Sequence, residues 1–301
     1  MRDVSIGQYY PTKSTVHKMD ARAKLVFVIL YIVMLFFVPS LDNYLAGDGR
    51  LGEYIVKSGL SFGVIAVFLV VAIACSKVPF VKVLKSVRSI VYLVIITAVI
   101  MLLFYSGKAN HVYATWGIIT ISLEGIVSAL VMALRLFLLV MGPSLLSFTT
   151  TPVQLTDGIE SLLSPLKIIK VPVHDIAIIM SIALRLIPTM VEETDKIVAA
   201  QKARLAEFDD GNVFKKAKAM IPVLVPLLSS SFRRADELAY AMDSRCYGGA
   251  KNRTRMKVMK LTYRDAIGLL VMAAVFFMVL TFVYDFFGVA TLVSEWAYTL
   301  I

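Results

Sequence analysis

Five long apolar runs limit what this chain can fold into more than any other feature. Leu25 to Leu41, Gly59 to Cys75 and Ser89 to Ser106 hold 17, 17 and 18 residues without a charge. Ala266 to Tyr284 holds 19, and Gly125 to Leu146 is interrupted only by Arg135. Each approaches the roughly 20 residues an α-helix needs to cross about 30 Å of hydrocarbon. Inside a bilayer no water satisfies the backbone, so runs of this kind fold as helices that close their own hydrogen bonds. The runs predict an all-α membrane protein with five spans. A mean hydropathy of +0.79 and 58% hydrophobic residues agree, since soluble domains hold about 45–50%.

Charge orients the spans, because Lys and Arg collect on the cytoplasmic side. Residues 1–24 carry five Lys/Arg, the connection 76–88 carries four and no acid, and the stretch 147–265 carries 18. Together these hold 27 of the 31 basic residues. The expected topology has the N-terminus inside, five crossings and the C-terminus outside. The net charge of +10 therefore follows the bilayer rather than a nucleic acid, and no aromatic-basic patch accompanies it. The first run begins after 24 residues and lacks a small-x-small site, which argues against a removable signal peptide. Cys75, read as a small buried apolar side chain, and Cys246 fall in separate segments, so neither a disulfide nor a metal site is expected.

Three regions follow: 1–148 with four spans, 149–265 on the cytoplasmic side, and 266–301 with the last span and an external tail. The middle region holds two helical patterns, about Val173 to Phe208 and Val213 to Tyr247. Ile176, Ile179, Met180, Ala183 and Ile187 repeat at three-four spacing, as do Val223, Leu224, Leu227 and Ser231. Gly211-Asn212 and Gly248-Gly249 supply stops. Pro188, Pro222 and Pro226 fall inside and are expected to kink or break the helices. Both patterns begin apolar and end charged.

A cassette repeats 41 positions apart in this region. Asp195, Ile197, Ala200, Ala203 and Arg204 recur as Asp236, Leu238, Ala241, Ser244 and Arg245. Each Arg falls in the last turn of its helix, where a cation also stabilises the macrodipole. A dipole explains one Arg but not the shared offsets before both. Two similar tips suggest docking onto two similar partners. Arg suits the task, because its planar fork holds a carboxylate bidentately and sheds water more easily than Lys. Ala199, Ala200, Ala235 and Ala239 are small enough for close helix crossing.

At these residues the chain resembles the transmembrane T component of energy-coupling factor (ECF) transporters, the EcfT family of ABC importers. The resemblance rests on Gly7-Gln8-Tyr9 with Pro11, Ser14, His17, Asp20 and Lys24, and on Ala183-Leu184-Arg185-Leu186-Ile187-Pro188. It continues through Glu192-Glu193, Gln201-Lys202-Ala203-Arg204, Ser244-Arg245-Cys246-Tyr247-Gly248-Gly249 and Arg253-Thr254-Arg255. It implies about five transmembrane helices with long cytoplasmic coupling helices between the fourth and fifth. It also implies that Ala203-Arg204-Leu205 and Ser244-Arg245-Cys246 dock into grooves on two ABC ATPase subunits, a related pair. A membrane-embedded S component, one of several exchangeable ones, would bind the vitamin or micronutrient. ATP and Mg would be bound by the ATPases and no cofactor by this chain. The family's first motif usually ends in Gly, where Leu205 stands here.

Two other classes fit the residues less well. A secondary transporter, or another multi-span protein with a cytoplasmic helical regulatory region, needs ionisable sites at mid-membrane, and Arg135 alone has no acidic partner in its run. A membrane enzyme could use Asp236-Glu237, Glu192-Glu193 or Asp209-Asp210, but such pairs read as solvated faces. His17, His111 and His174 lie in separate segments. No phosphate loop of the Gly-x-x-x-x-Gly-Lys-Ser/Thr type occurs, so the chain is not itself an ATPase.

Overall fold

The computed structural model describes residues 9–41, 51–88, 90–104, 112–116, 119–169, 172–206, 213–248 and 261–284. The helices are α1 (Ala21–Phe37), α2 (Leu51–Ser76), α3 (Phe80–Val87), α4 (Val91–Leu103), α5 (Leu123–Thr149), α6 (Pro152–Leu162), α7 (Val173–Ala203), α8 (Val213–Ser244) and α9 (Tyr263–Tyr284). A 3-10 turn covers Ser164–Ile169. One antiparallel hairpin, β1 (Val112–Trp116) with β2 (Ile119–Ser122), departs from the all-α expectation. Its β-branched and aromatic residues favour a strand, and Ser122 then caps α5 by accepting from Gly125 N at 3.0 Å. The Gly211-Asn212 stop, Asp209-Asp210, His111, Arg253-Thr254-Arg255 and the tail lie outside the described residues.

By length and composition, α2, α5, α7 and α9 are able to cross a membrane, and α3 with α4 makes a fifth candidate bent by 56°. α1 has 17 residues, about 25 Å, just under the hydrocarbon thickness. α7, read from the sequence as cytoplasmic, enters this set with a mean hydropathy of 1.5, below the 2.2 to 2.7 of the other three.

The described helices fall into two compact units, one with α1–α5 and α9, the other with α6–α8. The first is organised by α1 and α5, which run antiparallel and meet at three points seven residues apart. Lys24 Nζ donates to Thr149 O at 2.9 Å and Thr150 Oγ1 at 3.2 Å, at the C-terminal end of α5. Arg135 Nη2 donates to Val38 O at 2.6 Å and more weakly to Pro39 O at 3.4 Å, at the C-terminal end of α1. Each helix thus carries a cation that caps the other's unpaired terminal carbonyls, where the helix dipole is negative. Arg135 is therefore a structural side chain held by backbone, as an unpaired charge in a span must be.

Midway between the two caps, Tyr31 lies flat against Gly142. A Cβ added at Gly142 would sit 2.4 Å from Tyr31 Cε1. The Tyr31 hydroxyl donates to Leu138 O at 2.8 Å. Met34, Leu35, Phe62, Ile65 and Met141 fill the core around this contact. Cys75 departs from the sequence reading, because it is exposed rather than buried.

The residues before α1 form a knot at its start. Asp20 caps α1 by accepting from Arg22 N at 3.1 Å. Asp265, buried in the first turn of α9, accepts from Asp20 N at 2.9 Å and Thr262 N at 2.7 Å. Burial pushes the His17 imidazole below its usual pKa. Its Nε2 donates to Tyr10 O at 2.9 Å, and its Nδ1 lies 2.7 Å from Ser14 Oγ.

Replacing Gly142 by Ala should destabilise the chain by about 1–3 kcal/mol, the usual cost of overpacking. Thermal unfolding in detergent checks this. Tyr31→Leu should recover part of the loss in the Gly142→Ala background, and equal stability of Gly142→Ala and wild type would contradict the packing.

Candidate functional site: two helix tips

The cassette Arg residues occupy equivalent positions at the ends of α7 and α8. Arg204 is the C-cap of α7. Leu205 follows with φ 63° and Cys246 follows Arg245 with φ 55°. Only one other described non-glycine residue, Lys77, has a positive φ. The hydrogen bonds match as well. Ala206 N donates to Gln201 O at 3.1 Å and Leu205 N to Lys202 O at 3.0 Å, while Tyr247 N donates to Met242 O at 3.0 Å and Cys246 N to Asp243 O at 2.9 Å. This paired 6→1 and 5→2 pattern around a left-handed residue is the Schellman cap. The 41-residue sequence repeat is therefore also a repeat of backbone geometry.

A Schellman cap ends a helix abruptly and turns the chain aside, leaving the residue before the left-handed position at the very tip. Arg204 and Arg245 are both exposed there, as are Ala203, Leu205, Ser244 and Cys246. Leu205 is 89% exposed. Its side chain and its strained φ are thus retained without any packing in the isolated chain.

α7 and α8 run past each other in opposite directions. Ser231 Oγ reaches Met190 Sδ at 3.5 Å, Arg234 Nη2 donates to Glu193 Oε2 at 2.6 Å, and Ser230 Oγ donates to Glu193 Oε1. Farther along, Gln201 Nε2 donates to Pro222 O at 3.4 Å. Arg204 lies 11 residues beyond Glu193 and Arg245 15 beyond Ser230. At 1.5 Å per residue the tips stand up to about 40 Å apart, at opposite ends of the pair.

Of the kink or break expected at the internal prolines, no break occurs. α7 is continuous through Pro188, and α8 through Pro222 and Pro226. Pro226 has no N–H to give to the carbonyl four residues back. That carbonyl belongs to Pro222 and takes the Gln201 amide from α7 instead. Sequence reasoning missed this pairing, and it missed Glu193 as the crossing residue, because both depend on register. Ala199, Ala200, Ala235 and Ala239 are all exposed. Glu192, Asp195, Asp236 and Glu237 are exposed too. His174 instead pairs with Glu160 at 3.0 Å. Among the described residues, no three His, Cys, Asp or Glu side chains gather as a metal site.

The family model for the cobalt transport protein CbiQ matches residues 54–256. The chain is 47% identical to the energy-coupling factor transporter transmembrane protein EcfT of Clostridium kluyveri over 267 residues, 89% of this chain and 92% of that protein. It is 44% identical to EcfT of Ruminiclostridium cellulolyticum, with the same coverage, and 44% identical to EcfT of Acidaminococcus fermentans over 92% of this chain and 95% of that one. The chain belongs to the EcfT family. It is accordingly a multi-pass membrane subunit of an energy-coupling factor transporter, and not a catalytic one. The match covers both tips and the crossing between them.

The left-handed position after Arg204 favours glycine, since an L side chain there costs about 1–2 kcal/mol. Leu205→Gly should therefore slow hydrogen exchange in the last turn of α7 about fivefold, as about 1 kcal/mol implies. Ala203→Gly, inside the helix, should speed it. Exchange unchanged by Leu205→Gly would mean that the tip is not capped in this way.

Proposed function

We propose that the two tips are the points at which two cytoplasmic ABC ATPases grip this chain. The observation that carries the reading is the duplicated cap, which presents one exposed Arg at each of two outward-facing helix ends. Closure of the ATPases would pull on both tips. The Glu193–Arg234–Ser230 crossing would convert that pull into a change of angle between α7 and α8. A membrane-embedded S component gripped by this chain would respond by admitting or releasing its vitamin or micronutrient. ATP and Mg belong to the ATPases in this scheme. α7 and α8 act as cytoplasmic coupling helices, with the N-terminus inside and the C-terminus outside, as the distribution of Lys and Arg supports.

The difference between Leu205 and Cys246 fits two related, non-identical ATPases. One groove would accept an exposed branched apolar side chain beside its acid, the other a thiol.

Charge reversal tests the docking. Loss of one desolvated ion pair costs about 2–5 kcal/mol. Arg204→Glu or Arg245→Glu should each reduce co-purification of the ATPases more than tenfold, and the double variant should abolish it. Arg→Ala at either tip should leave a complex that hydrolyses ATP with impaired uptake. Full recovery of both ATPases by the double reversal would sink the reading.

A further inference from the structure

We propose that the cavity between α1, α2, α5 and α9 holds one acyl chain of a membrane phospholipid. The cavity measures about 300 Å³. Val28, Phe68, Ala72, Leu145 and Met272 are among its walls, and Lys24 and Thr149 line one end. An engineered apolar void of about 150 Å³ already stays dry and binds benzene. This space is twice that size and open on one side, so in a bilayer its apolar walls gain their missing contacts only from an apolar occupant that enters from the membrane.

The walls are fixed rather than loosely apposed. Gly142 and Gly268 both line the cavity. A Cβ at Gly142 would meet the Tyr31 ring, and one at Gly268 would approach Met19 Cε to 2.7 Å and Phe27 Cε2 to 2.9 Å. α1 is therefore in tight contact with α5 on one side and α9 on the other, and the space left between them cannot collapse without breaking those contacts.

Shape and opening select the occupant. The lining runs from Lys24 to Tyr31 on α1, from Gly142 to Thr149 on α5 and from Phe68 to Cys75 on α2. Seven residues of helix rise about 10 Å, within one leaflet of a hydrocarbon core about 30 Å thick. At the mouth stand Val71, 54% exposed, Val271, 42% exposed, and the exposed Cys75. In a membrane subunit these face acyl chains rather than water. Lys18 and Lys77, both exposed, lie one and two residues in sequence from the lining residues Met19 and Cys75. They supply cations for a phosphate head group outside the mouth, and the Lys24 ammonium meets the ester end of the chain inside.

The two cysteines make the test internal. Cys75 sits at the mouth, and Cys246 at a helix tip in the other unit serves as reference. Full-length protein in delipidated detergent should lose Cys75 reactivity toward a maleimide at least fivefold on addition of dioleoyl phosphatidylglycerol, with Cys246 unchanged. Native mass spectrometry should find one retained phospholipid. Ala72→Phe and, from another wall, Val28→Phe should each remove both the retained lipid and the lipid dependence of Cys75. The lipid-free Cys75 rate shows whether each variant still exposes the thiol. Wild-type Cys75 indifferent to phospholipid, or protected equally in both filled variants, overturns the proposal.

Discussion

The membrane unit depends on two cations that satisfy carbonyls in the wrong helix. Lys24 on α1 closes the end of α5, and Arg135 on α5 closes the end of α1. A helix terminus buried in a membrane unit has up to four unpaired carbonyls and little water to meet them. A cation alone in the same place would be as costly. Placing the two against each other removes both penalties and sets the antiparallel register at both ends. The Tyr31–Gly142 contact holds the middle. Once this frame is set, α2 and α9 have fixed faces to pack on, and the cavity is what their close approaches leave open.

The second unit solves a different problem. Its helices end in a defined direction and stay accessible. The Schellman cap meets both needs, because it satisfies the last carbonyls locally and turns the chain away within two residues. The crossing at Glu193, Ser230 and Arg234 ties the two helices along their length, and the Gln201–Pro222 bond ties the last turn of α7 to α8. Local caps leave Arg204 and Arg245 exposed at the two tips.

Much of this was legible in the residues. Uncharged runs located helices because the bilayer demands them. The cassette located the tips because a helix cap is decided within six residues, so equal local sequence gives equal local geometry. The prolines break neither helix, and at Pro222 the carbonyl freed by Pro226 takes the Gln201 amide from α7, a partner that no local pattern reveals. Arg135 stood out as an unpaired charge, but its partners were backbone atoms, which no side-chain pattern reveals. Asp265 gave no signal, because its partners are the amides of Asp20 and Thr262. Cys75 was misread because exposure to lipid and burial in protein suit the same apolar surroundings.

The sequence by itself determined the helices, the two Arg-bearing ends and membership of the EcfT family. These follow from local composition, from caps closed within one turn and from residue identity along the chain. Only the tertiary structure decided which carbonyls Lys24 and Arg135 satisfy, that α7 and α8 run antiparallel with their tips at opposite ends, and that a cavity remains beside Tyr31. Those depend on register between segments up to 245 positions apart. Register comes from the simultaneous fit of volumes and unpaired backbone groups, and no stretch of the sequence states that fit alone.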